Sequence, residues 1–79
     1  MPHVSVKLYP GRSEAAKAEL ARAITRDVMA ILKCGEDAVS VAIEDVPAAD
    51  WDQKVYEPEI AGNREKLFKK PGYGPLSAG

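Results

Sequence analysis

The chain has 79 residues, 46% of them apolar and 29% charged, with a formal net charge of −1. This is the composition of one globular domain over residues 1–79, and it excludes a disordered chain. The balanced charge offers no basic face to nucleic acid, no apolar run reaches membrane-spanning length, and the N-terminus lacks the apolar core of a signal peptide, so the expected compartment is the cytoplasm.

So short a chain buries little of its surface, and such chains commonly lean on disulfides, a metal or a partner subunit. One cysteine, Cys34, and one histidine, His3, allow neither an internal disulfide nor a zinc site. Self-association is the stabiliser left, and a homo-oligomer is expected.

In the opening stretch "MPHVSVKLYPGRS", Val4, Val6 and Leu8 alternate with Ser5, Lys7 and Tyr9. That period of two predicts a half-buried strand, ended at Pro10-Gly11. Ser13 is a good helix N-cap, and Glu14 stands in the first turn, where the helix dipole favours an acid. Leu20, Ile24, Val28 and Ile31, with Leu32 beside them, recur at helical spacing among small alanines. Lys33 in the last turn and Gly35 in the left-handed position beyond it are the expected stop.

Residues 39–46, "VSVAIEDV", return to alternation. The resulting β–α–β order predicts two parallel strands with a helix packed across them, an α/β fold. Two strands do not stand alone, and pairing of subunits into a larger sheet would complete them.

The C-terminal third is less regular. Asp50 and Gln53 resemble a capping arrangement ahead of Trp51 and Val55. Pro58 is expected to break any continuous helix. The reading is a short helical stretch over 50–57 and a second helix over 58–69 carrying Ile60, Leu67 and Phe68. The Pro/Gly-rich tail "KKPGYGPLSAG" is expected to be non-helical.

The second residue bears on chemistry. A small residue after Met1 favours removal of the methionine, which would turn the Pro2 nitrogen from an amide into a free secondary amine. An α-amino group titrates at about 7.7–8.0, and an apolar setting lowers that value by disfavouring the cation. Such a group can accept protons at neutral pH without a cofactor. The plainer reading is that Pro2 starts a strand, where a missing donor does no harm.

The combination of that proline, the strand, the Gly11-Arg12-Ser13 turn, the alanine-rich helix and the second strand resembles the tautomerase superfamily typified by 4-oxalocrotonate tautomerase. The resemblance runs to about residue 51, and the "KKPGY" segment looks like the subgroup found in enteric bacteria. It implies a β–α–β subunit with Pro2 as general base, converting the enol of a small α-keto acid to its keto form with neither metal nor cofactor. It further implies that Arg12 holds a substrate carboxylate and that Trp51 walls the pocket. Ser40 falls where the family carries a second arginine, which points away from dicarboxylate substrates and toward monoacid enols.

Each residue has a plainer role beside this one. Arg12 suits a solvated turn, Trp51 a core or subunit contact, and Ser40 a strand. His3 cannot make the copper and nickel motif, because Pro2 supplies no ionisable amide. Cys34 lies at a helix end that does not activate a thiol, Lys69 and Lys70 suit a solvated helix end, and Tyr73 could close over a partner's site. Rival readings are a hydratase or dehalogenase of unsaturated acids, with Glu44, Asp52 or Glu57 activating water, and a non-catalytic binding module of the same fold. Hexamers of the family knit dimers together with a C-terminal hairpin. Pro58 and the helical spacing there favour a homodimer instead.

Overall fold

The computed structural model describes residues 1–78, and these fall into two compact units, Met1–Val46 and a second from Pro47 onward. The first unit is the expected β–α–β subunit: strand β1 (His3–Leu8), helix α1 (Glu14–Leu32) and strand β2 (Ser40–Asp45). The two strands pair in parallel, with His3 opposite Ser40, Val4 opposite Val41 and Val6 opposite Ile43. Their alternations are therefore in phase. Val4, Val6, Val41 and Ile43 share one face, half-buried, and His3, Ser5, Ser40 and Ala42 share the other, exposed.

Helix α1 starts as its sequence dictates. Ser13 is extended (φ −71°, ψ 160°) and its Oγ accepts from the Ala16 amide at 3.0 Å, with Glu14 in the first turn. The other end differs from the expectation. Lys33, not Gly35, takes the left-handed conformation (φ 58°), while Gly35 is extended and leads into a short 3-10 turn, Glu36–Ala38. The cap is closed by the Cys34 amide, which donates to the Met29 carbonyl at 3.3 Å. That bond fixes the turn one residue past Leu32, and an unbranched lysine enters the left-handed region at less cost than a β-branched residue would.

A lysine ties the helix to the sheet. The Lys17 ammonium donates to Asp45 at the end of β2 (2.9 Å) and pairs with Glu14 (3.2 Å). No residue of α1 is fully buried. Ile24 and Val28 are half-buried, but Leu20 is 39%, Ile31 74% and Leu32 60% exposed, so the apolar stripe of α1 overruns what its own sheet covers. An open groove of about 910 Å³ remains along Thr25, Met29, Cys34 and Val41.

The second unit departs further. After a 3-10 turn, Ala48–Asp50, the chain takes a π-helical path over Asp52–Ile60 with Pro58 inside it, then a 3-10 path over Ala61–Lys66. Pro58 therefore does not divide two α-helices. The wider turn accommodates a residue that lacks an amide donor and whose ring would collide with a carbonyl in an α-helix. The π-helical stretch begins after Trp51 without a side-chain cap among the described residues, and the Asp50 carboxylate lies 3.6 Å from Lys54 instead. The helical path ends at Lys66, short of the expected residue 69, with Leu67 extended and Phe68 fully exposed. The tail also contains a 3-10 turn, Pro75–Ala78, where no helical structure was expected.

Tyr56 organises this unit. It is 3% exposed and, with Val55, forms the buried apolar centre. Its hydroxyl accepts from the Leu76 amide at 2.9 Å, and its ring meets Tyr73 at a centroid distance of 5.7 Å. Gly74 between them has φ +74°, and a methyl group there would fall 2.6 Å from the Tyr56 hydroxyl. Only glycine satisfies both the backbone sign and the space.

Candidate active site

Pro2 is half-buried at the head of β1, one residue before the strand begins. Its carbonyl accepts from the Ser40 amide at 3.2 Å, so the sheet itself fixes the residue in place. Met1 ahead of it is fully exposed. While Met1 is attached, the Pro2 nitrogen is a tertiary amide with no basic lone pair. Beside it, on the face away from α1, His3 Nδ1 and Ser40 Oγ lie 2.7 Å apart. The structure thus brings Pro2, His3 and Ser40 together at one end of the sheet.

Arg12 lies at the other end. It sits in the turn after β1 and lines a small pocket of about 130 Å³ with Leu8, Ala16, Lys17 and Leu20. From Pro2 to Leu8 is six strand steps, roughly 20 Å at about 3.3 Å each. A small acid at Pro2 is therefore out of reach of Arg12 in the same chain. Sequence spacing alone hid this, because ten residues pass within one strand and its turn.

The two cations of that pocket differ in availability. Lys17 is committed to Asp45 and Glu14, and the hydrogen bonds it donates to Asp45 first and Glu14 second hold its ammonium above the ordinary lysine range. Arg12 makes no ion pair among the described residues and presents its planar fork of donors to solvent, a geometry suited to a carboxylate.

Trp51 belongs to the second unit, where its indole N–H donates to the Tyr73 hydroxyl at 3.1 Å. The sequence suggested Tyr73 only as a cover for a partner's site; its bond to Trp51 has no signature in local spacing, since the two are 22 residues apart. The His3–Ser40 contact was readable in principle. Once two alternating strands run parallel and in phase, their leading polar residues become neighbours.

Comparison with known proteins converges on one family. The family model described as "Tautomerase enzyme" matches residues 2–55. A Xylella fastidiosa protein named "Probable tautomerase" is 49% identical over 78 residues, covering 99% of this chain and 95% of that protein. "Tautomerase PptA" of Cronobacter sakazakii is 38% identical over 74 residues, covering 92% of this chain and 97% of its own length. Its namesake in Escherichia coli O157:H7 is 36% identical over the same length.

Proposed function

The chain belongs to the tautomerase family, and from that premise we propose that it converts the enol of a small α-keto monoacid to the ketone, with Pro2 as the general base once Met1 is removed. The observation that carries this reading is the seat of Pro2: a proline held at the head of a strand by the Ser40 amide, next to the exposed Met1.

The reaction needs only a proton moved within one molecule. The Pro2 amine takes the enol O–H proton and becomes a cation. The electron pair released on oxygen forms the C=O bond as the former C=C pair takes a proton at carbon from the same ammonium. Atoms and charge balance, and the free amine returns. A pKa below the generic amino-terminal value keeps the base neutral at working pH, and Trp51, as the aromatic wall, would supply the apolar setting that lowers it.

Arg12 holds the substrate carboxylate with two parallel donors. Because Pro2 and Arg12 stand at opposite ends of β1, the arginine serving a given proline comes from a second copy of the chain. Self-association, with a homodimer favoured, also answers the open groove and the exposed Leu20, Ile31 and Leu32. At the proline end stands Ser40, whose hydroxyl donates or accepts one hydrogen bond but neutralises no second carboxylate. Monoacid enols fit that site better than diacids.

The test is a comparison of two forms of one protein. Phenylenolpyruvate ketonisation, followed by absorbance, should be fast with the free Pro2 amine and lose nearly all rate when the amine is acetylated or Met1 is retained. Equal rates for free and capped protein would mean that Pro2 only starts the strand.

A further inference from the structure

Trp51 carries a polar handle at its indole edge, and where that handle points decides which part of the ring faces a ligand. Its N–H donates to the Tyr73 hydroxyl at 3.1 Å. Tyr73 is itself held: its ring packs on buried Tyr56 at 5.7 Å and 52°. One residue later Gly74 turns with positive φ against the Tyr56 ring, and the Leu76 amide donates to the Tyr56 hydroxyl at 2.9 Å. The segment 73–76 is therefore held against Tyr56 at Tyr73, Gly74 and Leu76, and the Tyr73 hydroxyl meets Trp51. These tail residues lie beyond the span 2–55 that the family model matches.

We propose that Tyr73 is a positioning residue for the reaction: it fixes the rotation of the Trp51 ring and so sets how well the site accepts an enol acid with a bulky apolar group. The inference rests on the reading of Trp51 as the pocket wall. A tilted indole leaves a small substrate nearly unaffected but narrows or uncovers the surface against which an aryl ring packs. Tyr73 touches no reacting atom, so its influence belongs in KM rather than in proton transfer.

Trp51 is the only tryptophan of the chain, so its fluorescence reports the setting of this one ring. Tyr73→Phe deletes the hydroxyl and keeps the ring on Tyr56, which preserves the fold; far-UV circular dichroism confirms it. The expected result has two parts. Acrylamide should quench Trp51 more readily in Y73F, and KM for phenylenolpyruvate should rise roughly two- to tenfold, the effect of one neutral hydrogen bond, with a smaller change in kcat. Unchanged quenching, or altered quenching with an unchanged KM, overturns the proposal. Trp51→Phe separates this failure from failure of the reading beneath it. If W51F leaves KM unchanged, Trp51 is not the wall; if W51F raises KM and Y73F does not, only the role of Tyr73 falls.

Discussion

Two inactive proteins should make an active one. Chains with acetylated Pro2 have the arginine and no base. On the proposed roles, Arg12→Ala chains keep the base and lack the anchor, with an expected loss of about 1.5–3 kcal/mol in kcat/KM, or roughly ten- to 150-fold. The strand geometry places Pro2 roughly 20 Å from Leu8, beside which Arg12 lies, so on the proposed reading a working site draws base and arginine from two copies. If the two chains are unfolded together at equal amounts and refolded, a site is intact when its base comes from the R12A chain and its arginine from the capped chain. Half times half gives about one quarter of wild-type activity in any closed, randomly mixed assembly. The assay is phenylenolpyruvate ketonisation at fixed total protein, against each variant refolded alone. Among the described residues Arg12 carries no ion pair, so its removal should leave the melting temperature close to wild type and the refolding yields comparable. A mixture no more active than the average of the two separate samples would refute the shared site. A fully active R12A protein would remove Arg12 from the mechanism.

Glycines give a graded test of the backbone account. Gly74→Ala combines left-handed strain of about 1–2 kcal/mol with overpacking against Tyr56 of about 1–3 kcal/mol; Gly72→Ala meets open space, so urea unfolding should show a large loss for the first and little change for the second. Similar midpoints for both would discredit the packing of 73–76 on Tyr56. Lys17 gives a pH test. Its folded pKa is raised, so its stabilisation is complete below the unfolded value of about 10.4 and is lost as pH climbs through the folded value. Urea midpoints from pH 8 to 12 should therefore fall more steeply for the parent protein than for Lys17→Met above roughly pH 10, and parallel curves would remove Lys17 from the ledger.

The legible parts of the chain are those where one local rule acts alone. Ser13 caps α1 because an extended serine ahead of a helix has one obvious donor to meet, and both strands follow from alternation. The left-handed stop of α1 falls at Lys33, two residues before the glycine that sequence favours, because two rules compete. Gly35 is the better left-handed residue, yet the Cys34 amide reaches Met29 only if Lys33 makes the turn. Beyond Pro47 local rules lose their hold. The turn at 75–78 lies where the Leu76 amide meets Tyr56, and contacts 20 residues apart leave no periodicity to read. For the candidate site, residue types were legible and distances were not. Arg12 stands ten positions after Pro2, and only a fully extended β1 reveals that the two cannot meet within one chain.

The parallel pairing of β1 with β2 also has a consequence in time. His3 finds its partner Ser40 only after 37 further residues have been synthesised, which at about 5–20 residues per second takes roughly 2–7 seconds. Throughout that interval the nascent β1 has no strand of its own chain to pair with, and Pro2 lacks the Ser40 amide that later holds its carbonyl. An antiparallel hairpin would close within microseconds of emerging. If Pro2 is the base proposed above, the crossover topology leaves a natural delay in which Met1 can be removed.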